Sequence, residues 1–130
     1  MAFQITYPTR HTDTFTSTGF VHAGVLLALT EMAYAAFEQH CGVSKPDHVV
    51  AVQRATEARY RAPLRWDEGA TIQVRTLAAD ERGFDQEFAV NAATDGRPVA
   101  NFTHHWVWLD THTGRSVALS EEDCRCFLSG

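Results

Sequence analysis

Residues 23–37 read Ala23-Gly24-Val25-Leu26-Leu27-Ala28-Leu29-Thr30-Glu31-Met32-Ala33-Tyr34-Ala35-Ala36-Phe37. Most of these are strong helix formers, and a helix is predicted between about His22 and Cys41, closed by Gly42. Apolar residues run almost all round it where a surface helix would carry a polar stripe, so it is expected to be buried on most sides. The only ionisable group in the stretch besides Tyr34 is Glu31. A carboxylate in apolar surroundings is costly unless it is paired or hydrogen-bonded. Glu31 is therefore a candidate general base or nucleophile whose proton affinity desolvation would raise. The residues alone equally allow it to pair with Arg54 or Arg59, to face a solvent gap, or to line an oligomer interface.

Outward from this helix the pattern changes from helical to alternating. Phe3 to Tyr7 alternates apolar and polar residues and predicts a half-buried strand before the helix. Thr12 to Thr18 is a polar stretch suited to a loop with capping oxygens. After the helix come four strand-like segments, His48–Tyr60, Thr71–Ala78, Phe84–Ala93 and Pro98–Leu109. Asp95-Gly96 predicts a tight two-residue hairpin turn between the last two. Ser120 to Asp123 has the form of a capping box and predicts a short C-terminal helix. Consecutive strands after a single helix argue for an α+β domain with an antiparallel sheet, and not for a parallel βαβ alternation.

The chain has 130 residues, 45% of them hydrophobic, with a formal net charge of −5. That length suits one domain spanning residues 1–130 with a core of its own. The charge gives no reason to expect a nucleic-acid partner, and no apolar run approaches the roughly 20 residues of a membrane span. Met1 to Thr6 lacks the pattern of a secretory signal, and the three cysteines, Cys41, Cys124 and Cys126, form neither a disulfide framework nor a zinc motif. A cytoplasmic protein with no metal and no redox cofactor is expected.

The helix start adds a second chemical feature. Small residues at Ala23 and Gly24 occupy the first turn, where free N–H groups and the positive end of the helix dipole suit a developing oxyanion. Ala23 and Glu31 are eight positions apart, about 12 Å along a helix axis. If both act on one carbonyl, they must come from different chains, and a two-fold dimer would bring them together. Thr30-Glu31 is then expected at the interface.

Val21-His22-Ala23-Gly24 followed by Glu31 and Ala33 is similar to the His-Gly-Gly…(Asp/Glu)…Ala signature of hotdog-fold acyl-CoA thioesterases, of the 4-hydroxybenzoyl-CoA and phenylacetate-pathway type. Arg61-Ala62-Pro63-Leu64-Arg65 followed by Gly69 also resembles the point where the hotdog sheet turns. The resemblance implies an antiparallel sheet wrapped around one long central helix, and hydrolysis of an acyl-CoA or acyl-carrier-protein thioester by a homodimer or a tetramer of dimers. It implies that Glu31 is the catalytic carboxylate, as nucleophile or as general base for water. It makes the Ala23 N–H of the opposite subunit the oxyanion donor and puts His22 at the helix start, shaping that hole. Thr16 stands where the family often has Asn or Gln. A second hotdog group carries its acid ahead of the helix, which makes Asp13 the alternative acid. A non-catalytic module binding an acyl or aromatic ligand is the alternative of a different class.

Gly24 and Tyr34 are expected at the substrate, with Phe15, Phe20 and Phe37 as further apolar candidates. Arg59, Arg61 and Arg65 are expected to cradle CoA phosphates, for which Arg is well suited. His104 and His105 are adjacent on a strand and must point to opposite faces, which defeats joint metal binding. His11, His40, His48 and His112 show no ligand spacing.

Overall fold

The computed structural model describes residues 3–14 and 18–130. Strand β1 (Phe3–Tyr7) leads through a short 3-10 turn (His11–Asp13) to the long helix α1 (Ala23–Cys41). Then come β2 (Val49–Tyr60), β3 (Ala70–Asp80), β4 (Gly83–Ala92), β5 (Pro98–Asp110), the two-residue β6 (Ser116–Val117) and helix α2 (Glu121–Ser129). All pairings are antiparallel, in the spatial order β1-β3-β4-β5-β2, with β6 paired to the far end of β5. The strand and helix expectations hold, with two refinements. The β4–β5 connection runs over residues 93–97, longer than the two-residue turn predicted. The segment expected as loop contains the 3-10 turn, in which Asp13 Oδ2 accepts from the Arg10 N–H at 2.8 Å.

One face of the sheet is apolar and α1 lies against it. Ile72 and Val74 of β3, Phe84, Phe88 and Val90 of β4, and Phe102, Trp106 and Trp108 of β5 are all buried there. From the helix come Leu26, Leu29, Thr30, Ala33, Tyr34 and Phe37, one stripe of the 3.6-residue period. Tyr34 stacks on Trp106 with ring centroids 4.5 Å apart. Helix α2 plugs the end of this core with Phe127, which is fully buried and lies 4.6 Å from Phe84 and 6.0 Å from Phe37 between centroids. Its start has the predicted capping box, with Ser120 Oγ accepting from the Asp123 N–H and Asp123 Oδ2 from the Ser120 N–H. The end of α1 is closed by Gly42 at φ 73°, whose N–H reaches the carbonyls of Glu38 and Gln39.

Two readings of the helix are corrected. Only its sheet-facing stripe is buried: Ala23, Gly24, Ala28, Glu31, Met32 and Ala35 are exposed or half-buried, with Met32 at 52% exposure. The apolar residues round the rest of the helix thus form an open face, because a single sheet covers a single side. Thr30, expected at an interface, is fully buried against β5.

The far edge of the sheet is open too. Arg54 to Tyr60 of β2 are exposed on both faces. Gln53 pairs with Trp106, but Ala55 pairs with His105, so the register slips at Arg54 in a β-bulge. The bulge inverts the side-chain alternation, and Gln53, Thr56, Ala58 and Tyr60 all fall on the inner face, opposite Trp106, His104, Phe102 and Ala100.

Behind the sheet turn, Glu68 ties the β2–β3 loop to the β4–β5 loop. Its carboxylate accepts a two-pronged bond from Arg97 at 2.9 and 3.1 Å, one from the Arg65 N–H at 2.8 Å and one from Thr94. Arg97 foremost, then the Arg65 N–H, hold the Glu68 carboxyl down to about 2. A carboxyl depressed in the folded state contributes stability above its unfolded value, about 4.3, and loses it as pH falls toward the folded value. The urea midpoint is therefore expected to drop between about pH 5 and pH 2. Glu68→Gln should lower the midpoint at pH 7 and flatten part of that acid limb. Parallel acid limbs in the two proteins would refute the assignment.

Candidate active site

The start of α1 is shaped by its own cap. His22 is extended, and its Nδ1 accepts from the Gly24 N–H at 3.1 Å, so the ring folds back over the first turn. A Cβ on Gly24 would lie 2.9 Å from His22 Cε1 and 3.1 Å from Nδ1. The absence of a side chain at 24 thus makes room for the cap itself. Val25 and Leu26 N–H groups bond to the His22 carbonyl. Among the described residues, none accepts from the Ala23 N–H. Ala23 borders a hollow of about 380 Å³ at the end of β2, lined also by Leu26, Tyr60, Arg61 and Leu64. A second cleft, of about 480 Å³, is lined by Tyr7, Arg10, Asp13, His22, Gly24 and Met32.

Glu31 stands two helical turns further on, exposed, on the side of α1 that faces the open β2 edge. Its Oε1 accepts from Gln53 Nε2 at 3.2 Å. Among the described residues it has no ion pair, so neither Arg54 nor Arg59 neutralises it. The apolar burial expected from the sequence is not its environment within one chain. Behind Gln53 a polar line continues inward. Thr56 Oγ1 donates to Gln53 Oε1 at 3.1 Å and lies 2.9 Å from His104 Nδ1, and His104 Nε2 is 2.8 Å from Thr30 Oγ1. His104 is fully buried, and burial, with the adjacent His105 as a lesser cause, pushes its imidazole down to about 4. It is a neutral ring at pH 7.

The other expected site residues are dispersed. Tyr34 is in the core, stacked on Trp106, and its hydroxyl donates to Glu38; burial foremost, then the Glu38 charge, raises its pKa. Phe37 is fully buried, and Phe20 is 40% exposed. Arg59 is on the outer face of β2 opposite Asn101, and Arg61 Nε donates to Asn101 Oδ1 at 3.3 Å. Arg65 is apart from them, in the loop after β2, 3.5 Å from Asp67 and bridged to Phe20. Thr16 and Phe15 lie outside the described residues. The predicted split of the histidine pair holds: His104 faces in, while His105 faces out and binds Asp85 at 2.7 Å.

Sequence reasoning missed the Gln53-Thr56-His104 line, because residues 53 and 56 share a face only through the bulge. It also missed a meeting of His48, Asp110 and His112, whose potential ligand atoms lie within 4.8 Å of one another. The two imidazoles are stacked 4.5 Å apart and 6° from parallel. Their lone pairs therefore run side by side and do not converge on one ion. Asp110 Oδ1 is occupied by the N–H groups of His112 and Thr113, as in a turn.

Residues 10–125 match the family model of the thioesterase-like superfamily. No curated protein matches the chain. Among solved structures, the chain is similar to a candidate oleoyl thioesterase from Lactobacillus plantarum at 21% identity and a TM-score of 0.84, covering 98% of this chain and 50% of that one. It therefore spans half the length of that relative. It is also similar to a thioesterase from Thermus thermophilus complexed with coenzyme A and Zn, at 24% identity and TM-score 0.79, covering 98% and 95%. A 1,4-dihydroxy-2-naphthoyl-CoA thioesterase from Synechocystis is 14% identical, with TM-score 0.82 and coverage of 98% and 96%. The likeness is one of fold, and that fold is the hotdog arrangement, α+β, with its antiparallel sheet against one long helix. No helix among the described residues is long and apolar enough to cross a membrane.

Gly24→Ala should dislodge the His22 ring from its cap. The expected result is a loss of about 1 kcal/mol in unfolding free energy, with a shift of the His22 ring resonances. An unchanged stability and spectrum would show that the ring does not hold the helix start.

Proposed function

The chain belongs to the thioesterase-like superfamily, a family of thioester hydrolases, and we propose that it hydrolyses an acyl-CoA or acyl-carrier-protein thioester as a homodimer, with Glu31 as the acting carboxylate. The observation that carries this reading is the placement of Glu31. It stands at the rim where the open face of α1 meets the uncovered inner edge of β2. Its carboxylate is steadied by one amide and, among the described residues, balanced by no cation.

A second copy laid on that rim would cover Met32, Ala28 and Tyr60 and give the apolar face of α1 its missing partner. It would also solve the distance problem, since Ala23 and Glu31 are about 12 Å apart on one continuous helix. The Ala23 N–H of one subunit, with no acceptor among the described residues of its own chain, would then polarise the thioester carbonyl above the partner's carboxylate. Glu31 either takes a proton from water as water oxygen attacks the carbonyl carbon, or attacks that carbon itself and is freed by water in a second step. In both cases the carbon–sulfur bond breaks, the thiolate leaves and is protonated, and the acid is released. His22 holds the donor turn in shape through its cap, and Gly24 leaves room for it. Arg59 and Arg61, with Arg65 further along, are placed to meet CoA phosphates, a use supported by the CoA-bound Thermus relative. The three cysteines are free thiols, which supports a cytoplasmic setting.

Asp13 offers a second reading, because it lines the cleft of about 480 Å³ together with His22 and Gly24. The test is thiol release from acetyl-, palmitoyl- and benzoyl-CoA by wild type, Glu31→Gln and Asp13→Asn, with sedimentation of each. Glu31→Gln should lose at least about a hundredfold in kcat while keeping fold and dimer. Wild-type rates in Glu31→Gln with loss in Asp13→Asn would transfer the acid to Asp13. Binding of all three esters without thiol release would identify a binding module instead.

A further inference from the structure

We propose that His104 is a positioning residue that, through Thr56 and Gln53, aims the Glu31 carboxylate; this rests on the reading of Glu31 given above. Proton counting along the line leaves two arrangements, told apart by where Thr30 spends its one proton, and the relay is the one that sends it to His104. The carboxylate can only accept, so the Gln53 amide must present Nε2 to it, at 3.2 Å, and its Oε1 is left to accept. Thr56 has one proton and spends it on Gln53 Oε1 at 3.1 Å, so toward His104 it must accept, and Nδ1 carries the ring proton. In a neutral ring Nε2 is then an acceptor, and the relay requires the Thr30 hydroxyl, 2.8 Å away, to donate to it. The Leu27 carbonyl, 2.6 Å from Thr30 Oγ1, competes for that same proton; with the proton there, Nε2 would carry the ring proton, Thr56 would donate to Nδ1, and the line would stop at Thr56.

With the Thr30 proton on His104, every bond in the chain Thr30–His104–Thr56–Gln53–Glu31 points the same way, toward the carboxylate. Aligned hydrogen bonds polarise one another, and a fully satisfied buried network holds its members to one geometry. The inner end is anchored: Thr30 and His104 are both fully buried, His104 lying against Phe88 and Trp106. The outer end reaches an otherwise exposed Glu31 only because the bulge at Arg54 puts Gln53 and Thr56 on one face. Burial keeps the ring neutral, so it carries a single proton, and its hydrogen bonds decide which nitrogen holds it.

The test uses the full chain with the three CoA esters above. Thr56→Val removes the hydroxyl without changing the shape, and Gln53→Ala cuts the line at its exposed end. Each is expected to lower kcat by about ten- to a hundredfold with KM unchanged, as mispositioning does. Thr56→Ser should restore kcat, and the double variant should lose no more than either single one. Independently of turnover, nitrogen-15 shifts should show His104 neutral at pH 7 with the proton on Nδ1. Wild-type kcat in both Thr56→Val and Gln53→Ala, beside an inactive Glu31→Gln, would overturn the relay alone. Full activity in Glu31→Gln would instead overturn the functional reading, and a proton on Nε2 would overturn the relay whatever the substrate.

Discussion

Helix α1 has a sheet to cover one of its sides and apolar residues on all of them, and the rest of the structure follows from that imbalance. Leu26, Leu29, Ala33, Tyr34 and Phe37 satisfy the covered side against β3, β4 and β5, with Phe127 of α2 closing the end. Ala28, Met32 and Ala35 lie on the uncovered side. Burying large apolar side chains is worth roughly 1.5–3 kcal/mol each, so an open face of this kind favours a partner surface. The inner edge of β2, bare from Thr56 to Tyr60, continues the same opening. Glu31 and the helix start both border it, which puts the candidate chemistry where a second copy would meet the first.

Within this frame several polar groups have a local physical reason. His22 turns back to cap the helix, and that fold-back requires Gly24. It also separates the donors of the first turn, since the Gly24 N–H is consumed by the cap and the Ala23 N–H is not. The Glu68–Arg97 pair sits behind the turn of the sheet and fixes two loops to each other. The line from Thr30 to Glu31 is a polar path that runs from the core to the rim. Unpaired, a buried imidazole and a buried hydroxyl would each be costly, and pairing them removes that cost.

How much was legible varied with how local the cause was. The alternation in Phe3–Tyr7, the helix over residues 22–41, the Ser120 capping box and the opposite facing of His104 and His105 all follow from short-range periodicity, and all are present. The exposure of Glu31 is not legible, because periodicity reports which residues are apolar and not how many partners are present to cover them. Tyr34 is stacked on Trp106 in the core of the chain, since a tyrosine on a helix stripe goes where its stripe goes. His48 and His112 show no ligand spacing along the chain and yet stack in space.

The sequence by itself determined the element order, the antiparallel α+β class and the two chemical features of the helix, a small-residue start and a lone carboxylate two turns on. These depend on propensity and period, which act over a few residues. Only the tertiary structure decided which face of α1 stays open, that Gln53 and not an arginine meets Glu31, and that a buried histidine stands behind them. For the polar line behind Glu31 the reason is the single extra residue at Arg54. One bulge reverses the parity of every side chain beyond it, and no alternation read along β2 alone can show on which face Thr56 will fall.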